Sequence, residues 1–419
     1  MNMSVEKVFE AIGEPACQDA VRQRWPFAMA VMPGAGPEFL RADFVRDARP
    51  YCGLDDNDER LLLEAADRIR RSPELAAFAW YVFWRLFLDT VPFDDSEAGK
   101  WPKLQSALGD RAGGLYVLAA LGMIPLVRNH HRSLGVDDDA ITRNTCLQIG
   151  SFAGNHKRAT GRLGLFSQIS WLKHYTREPY FRVGRLEFWK KPAEPGPEVF
   201  RRRGALETLA LAQDAVEFSP EGFIDAPGTD GAWRSTLVRT AESVTGHPIS
   251  PDGRALKRKV TLALADWDCI LKPGDMVLDM HIPAGGSMTL EACADSFRGA
   301  KEFFARWFPC MPAVAVMCRS WIFSPNLPEF LPADSNLVRF MEECYTFPLG
   351  WGRRTGLWFV FFQDKFDPAA VPRQSRLQRA MAEHLDKGGD IRSGGMFYML
   401  DDVGRFGAGQ YKKAFPSGL

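Results

Sequence analysis

The sequence predicts an α+β chain in two parts, an all-helical N-terminal domain at 1–165 followed by a mixed α/β domain at 166–419. Three observations carry that reading. No stretch of the first 160 residues alternates polar and apolar side chains as a strand would, while several carry apolar runs at helical spacing. After about residue 165 strand-like alternation begins, followed by the turn-rich tract KKPAEPGPE at 190–198. From residue 276 strand, loop and helix patterns alternate and finish in strands.

In order, SPELAAFAWYVFWRLFL opens with Ser72 as an N-cap and Pro73 at the first helical position, where its missing N–H is no loss. It stays apolar to Leu88, which predicts a helix buried on most of its surface. WPKLQSALGDRAGGLYVLAALGMI predicts a helix weakened at Gly113-Gly114. DDDAITRNTCLQIGSFAGNHKRATG predicts another, with an acidic start and basic end that suit the helix dipole. LFSQISWLKHYTRE reads as one more helical segment and YFRVGRLEFW as a strand. Short strands and turns are expected over 199–230, a helix within GTDGAWRSTLVRTAESVTG, and a helix over RALKRKVTLALADWDCIL. Beyond the turn KPGD come a strand at 276–283, a helix at 289–308, a strand at 313–323, a helix at 336–344, and strands around 355–363 and 394–400.

Composition narrows the function classes. Fifty-two basic residues balance fifty-two acidic ones, so no long-range field marks a binder of nucleic acid or of an anionic membrane. The start MNMSVEKVFEAIGEP places acidic residues where a secretory signal would be apolar, and the expected location is cytoplasmic. Eight scattered cysteines, without CxxC or a metal-like pairing with histidine, read as reduced and mostly core-filling. The adjacent His130 and His131 point in different directions on a helix, and no metal is assigned.

The stretch MHIPAGGSMTL at 280–290 joins a predicted strand to a predicted helix through two adjacent glycines. Thr289 is a natural N-cap, so the loop Ala284-Gly285-Gly286-Ser287-Met288 brings main-chain N–H groups and a positive helix end to the carboxyl edge of the strand. Glycines accept unusual backbone angles and let a phosphate approach the main chain. The other reading is a tight turn without a ligand. Neither a P-loop nor GxGxxG is present, and Arg298 lies roughly 13 Å along the helix from Thr289 at 1.5 Å per residue, so a ligand here would be held mainly by backbone.

GHPISPDGRA at 246–255, Trp267 with LKPGDMVLDMHIPAGGSMTLEAC, and CRSWIFSPNLPEFLPADSNLVRF at 318–340 resemble bacterial acyltransferase-domain proteins. These pair a helical N-acyltransferase N-terminal domain with a C-terminal domain of GNAT-like fold. The resemblance implies that the strand ending near His281 and the strand at 313–323 splay apart and receive the pantetheine arm of acyl-CoA between them. It also implies a diphosphate site at Ile282, Ala284, Gly285, Gly286, Ser287, Met288 and Thr289, although the adjacent glycines depart from the family's usual Q/R-x-x-G-x-G/A spacing.

For acyl transfer to an amine, His281 is the candidate base, or else an imidazole that only holds the glycine turn. Tyr345 is the candidate acid, and Ser320 and Trp321 fall where the second strand should diverge and line a substrate pocket; Tyr345 and Trp321 are equally readable as core. His247 either caps a turn or faces the acceptor, and Cys318 has no visible base beside it. Two functions follow. One is an acyl-CoA-dependent acyltransferase, moving acetyl or another short acyl group to an amine of a small molecule. The other is a non-catalytic ligand-binding or regulatory module of the same fold.

Overall fold

The computed structural model describes residues 3–225, 227–350 and 356–419. Two compact units emerge, one running to Val183 and including Pro283–Gly285, the other made of Gly184–Ile282 and Gly286 onward. Residues 166–183, read from sequence as the start of the second domain, thus belong to the first unit.

Among the described residues the first unit is helical apart from one short strand. Its helices include α1 (Ala42–Cys52), α2 (Pro73–Phe87), α3 (Gly114–Leu121), α4 (Met123–Ser133) and α5 (Asp139–Thr160). The Ser72 hydroxyl accepts from Leu75 N at 3.2 Å, and every residue from Leu75 to Phe87 is buried, as the apolar run requires. The charge this buries is matched: the Arg85 guanidinium meets Asp89 and Glu97, and Asp89 also takes two bonds from Arg24 at 2.8 and 2.6 Å. The Gly113-Gly114 break is a close approach, since a Cβ on Gly113 would stand 2.5 Å from Leu163 O. The segment 167–176 is a run of 3-10 turns in place of the expected α-helix. YFRVGRLEFW is two strands, β1 (Tyr180–Val183) and β2 (Leu186–Pro192), because Gly184 adopts φ 63° and turns the chain.

In the second unit the main sheet has the order β2-β7-β8-β10-β9, with β7 Met276–His281, β8 Ala315–Ser320, β9 Tyr345–Pro348 and β10 Gly394–Met399. Only β7 and β8 are parallel; the other pairs are antiparallel. Two helices follow the predicted spacing, α6 (Leu290–Trp307) and α7 (Asn336–Glu343). Phe297 on α6 lies against Phe188 and Tyr398 on one face of the sheet, at ring separations of 6.2 and 5.5 Å. A second sheet is wholly antiparallel and contains β3 (Glu198–Arg202), β4 (Thr208–Leu211), β5 (Pro248–Ser250) and β6 (Trp267–Leu271).

Two helices expected from sequence pattern are corrected. RALKRKVTLALADWDCIL forms strands at Arg254–Ala255, Val260–Ala263 and Trp267–Leu271. Along Val260–Ala263 only Leu262 is buried, and it joins Trp267, Phe200, Leu209, Leu211 and Val244 in a shared core, a period-2 arrangement that a helix would scatter. The tract 228–246 forms strands at Trp233–Arg234, Leu237–Arg239 and Ser243–Gly246, turned where Thr240 Oγ1 accepts from Glu242 and Ser243 N–H groups. The reverse error occurs at 355–363: Leu357–Phe361 is helical, and Thr355 lies outside the described residues.

Candidate active site

The parallel pairing of β7 with β8 runs through Val277/Ala315 and Leu278/Val316 and ends at Asp279/Met317. Past that step β7 stays paired to β2 as far as His281/Glu187, and β8 to β10 as far as Ser320/Gly394. Among the described residues no further ladder step joins the two, so Met280–His281 and Cys318–Ser320 present edges to each other across an opening. Unpaired strand edges are templates for an extended guest that carries amides.

The glycine loop stands at this opening. Gly285 and Gly286 have φ of 81° and 75°, left-handed values that favour glycine, and residues 284–287 are exposed. Among the described residues none of the N–H groups of Ala284 to Thr289 is used by a protein acceptor. Thr289 caps α6, its hydroxyl accepting from Ala292 N at 3.2 Å, and Asn336 at the start of α7 donates to Ser287 Oγ at 3.0 Å. Met288, by contrast, points inward and is buried. Ile282 follows β7 directly and is half-buried.

A cation that sequence spacing did not place here is Arg185. Its main-chain N–H donates to Ser296 Oγ on α6 at 2.8 Å, and a Cβ on Gly286 would stand 3.3 Å from its Nε. Arg185, just ahead of β2, therefore supplies the basic side chain that the loop's own neighbourhood in sequence lacks. Backbone amides, a helix N-terminus and a guanidinium are suited to a diphosphate.

Next to the loop, His281 Nδ1 lies 2.8 Å from Glu187 Oε2. The imidazole side chain keeps 30% of its surface exposed while Glu187 has none. These residues face each other in the β2/β7 register, 94 positions apart in the chain, which is why Glu187 was not found from sequence. A carboxylate on Nδ1 favours the tautomer with a basic Nε2. Of the two roles foreseen for His281, the geometry displays an imidazole oriented by a buried acid. Two residues earlier, Asp279 pairs with Lys191 at 2.8 Å; burial pushes its carboxyl pKa up, with Lys191 opposing.

Other candidates find different employment. Tyr345 has no exposed surface: its hydroxyl donates to Ile249 O at 2.5 Å and accepts from Ala210 N at 3.2 Å, and burial pushes its pKa up. It opens β9 and ties the two sheets of this unit together, so the expected acid role is corrected to a core one. His247 is likewise buried, its ring tilted against Trp233 at 4.8 Å and Nδ1 3.3 Å from Leu256 O. Ser320 ends β8 and caps the following 3-10 turn through Ile322 N at 3.3 Å. Trp321 is buried against Gly356, where a Cβ would stand 2.8 Å from the indole. Cys318 is buried, and burial raises its thiol pKa well above the usual range, against a nucleophilic role. Five cysteines are buried, whereas Cys269 and Cys310 are exposed. Among the described residues no group of three His, Cys, Asp or Glu side chains could hold a metal ion.

A parallel strand pair that parts above a glycine loop and helix N-terminus, inside a mixed sheet of this order, defines an N-acyltransferase-like protein of GNAT-like fold. The sequence matches the profile of the GNAT-like C-terminal domain over residues 180–397 and that of the N-acyltransferase N-terminal domain over 43–177. The chain belongs to the GNAT-like C-terminal domain family. No curated protein matches it in sequence. Solved structures with the same fold include an acyltransferase in complex with decanoyl-CoA and teicoplanin, at TM-score 0.63 and 20% identity over 95% of this chain and 100% of that one. Another is an acyltransferase in complex with CoA and 10C-teicoplanin, at 0.63 and 21% over 95% and 100%. A mutant acyltransferase in complex with octanoyl-CoA aligns at 0.62 and 20% over 95% and 99%.

Proposed function

We propose that this protein transfers an acyl group from acyl-CoA to an amine of a small molecule, with His281 as general base. The single observation that carries the reading is the His281–Glu187 pair at 2.8 Å on the edge of the β7/β8 opening. The loop amides at Gly285 to Thr289, with Arg185, would take the diphosphate, and the pantetheine amides would pair with the free edges of β7 and β8. The thioester carbon would then stand between His281 and β8.

In the reaction the amine nitrogen attacks the thioester carbon and gives its proton to His281 Nε2. Glu187, accepting from Nδ1–H, stabilises the imidazolium that forms. Main-chain N–H groups on the free edge of β8 are suited to the oxyanion. The C–S bond then breaks, and the imidazolium returns the proton to the leaving thiolate, so one residue serves as base and then as acid. This removes the need for Tyr345. The expectation of an acetyl or short acyl group is widened, since solved acyltransferases of this fold hold octanoyl- and decanoyl-CoA; those bound with teicoplanin support a small-molecule acceptor.

The test is CoA release from acyl-CoA in the presence of a panel of amines, for the wild type and for His281→Ala. Turnover lost in the variant while CoA still binds supports the reading. CoA binding without turnover of any acyl chain or amine would instead favour a ligand-binding module.

A further inference from the structure

A cavity of about 150 Å³ lies on the second unit beside the carboxyl end of β9, which is paired to the amino end of β10. Its lining side chains are mostly apolar and include Val216, Phe218, Ile224, Ile249, Phe347 and Leu349, together with Gln213. One wall is Pro195-Gly196-Pro197, the tract that leads from β2 to β3. That strap is pinned to the sheet: Arg319 donates to Pro195 O at 2.5 Å and pairs with Glu194, which also meets Lys191 at 2.8 Å.

The cavity and the opening share one face of the sheet. Arg319, Gly395 and Phe347 stand in register on β8, β10 and β9. Gly395 has no side chain, and the Phe347 ring lies over it, so close that a Cβ there would fall 2.2 Å from the ring. The apolar lining thus reaches from the sheet edge toward Arg319, on the segment of β8 that borders the opening. His281 borders the opposite side, and the alternation of β7 and β8 turns its side chain to this same face.

Resting on the acyltransferase reading, we propose that this cavity receives the aliphatic tail of the acyl group and sets the chain length, with the Arg319–Glu194 pin as the positioning element of its wall. A pocket near 150 Å³ with aliphatic and aromatic side chains along it has room for a guest the size of benzene, about six carbons. The Pro195–Pro197 wall is held directly by Arg319 of β8, so a few more carbons span the distance from the opening. Chains of roughly ten carbons fill it.

The test measures dissociation constants by calorimetry for CoA and for the acetyl- to tetradecanoyl-CoA series. At about 0.8 kcal/mol per buried methylene, affinity should rise about fourfold for each carbon that enters the cavity and level off near ten carbons. Val216→Trp, at a half-buried lining position, should move the plateau several carbons shorter; Val216→Phe serves if the larger ring impairs folding. Affinities independent of chain length, or a plateau that neither variant moves, overturn the cavity assignment while leaving CoA binding intact. Failure of CoA itself to bind sinks the acyltransferase reading and this proposal with it. A flat acyl series with an amine acceptor whose affinity Val216→Trp weakens would give the cavity to the acceptor and refute the proposal.

Discussion

Glu187→Gln keeps the shape of the side chain and removes its charge. Glu187 is wholly buried against His281, so its effect on the imidazolium is weakly screened. With charge centres about 4 Å apart and an effective dielectric constant near 20, the attraction is about 4 kcal/mol. That converts to a fall in kcat of about a thousandfold. An amide opposite Nδ1 can also donate, which would favour the tautomer with its proton on Nε2, the wrong one for a base. CoA release under saturating acyl-CoA and amine gives kcat, and calorimetry gives the CoA affinity, which should stay near wild type because Glu187 is assigned to orienting His281. Wild-type kcat in a folded Glu187→Gln protein would refute the dyad, and a loss confined to CoA affinity would assign Glu187 to the loop instead.

Other outcomes follow from the same geometry. Arg185→Ala should weaken CoA binding about tenfold and flatten its salt dependence, and equal affinity at low salt would contradict the assigned contact. Gly285→Ala and Gly286→Ala force a Cβ onto φ near 80°, at a cost of roughly 1–2 kcal/mol, and should also weaken CoA binding; unchanged affinity would show that the loop does not hold the ligand. Gly150→Ala places a Cβ 1.9 Å from Cys52 O where α5 crosses α1, and should lower stability to urea by about 1–3 kcal/mol. His131 is buried with Nδ1 2.9 Å from Thr142 Oγ1, and burial pushes its pKa from 6.5 to about 3, with His130 acting in the same sense. Between those values the unfolded chain holds a proton that the native chain does not, so stability should fall by about 1.4 kcal/mol per pH unit as pH drops from 6.5 toward 3. Denaturation at stepped pH should show this slope in the wild type and lose it in His131→Gln.

Local signals are sufficient for α2, α5, α7 and the β7-loop-α6 unit. Ser72, Pro73 and the long apolar run specify α2 without outside help, and the apolar stripe of α6 predicts its packing through Phe297. The strands between 233 and 271 were not legible because each is two to five residues long and owes its state to partners: Leu262 reads as part of a helical stripe until pairing with 243–246 turns it inward. Tyr345 was misread for a similar reason, since an N-terminal Asn on α7 and a tyrosine after its end say nothing of the Ile249 carbonyl that takes the hydroxyl. At the site, His281 and the glycines are contiguous and visible. Glu187 and Arg185 come from the turn and register of another strand pair, and nothing local to residues 280–290 announces them.

In the proposed complex an acyl thioester lies along the free edges of β7 and β8 with its diphosphate on the glycine loop. A crystal structure of the protein with octanoyl-CoA tests it most directly. Diphosphate oxygens are expected on the N–H groups of Gly285 to Thr289 and beside Arg185, with the thioester positioned so that an attacking amine falls within about 3 Å of His281 Nε2. A carrier bound away from this loop, or a thioester carbon on the face of the sheet opposite His281, would contradict it.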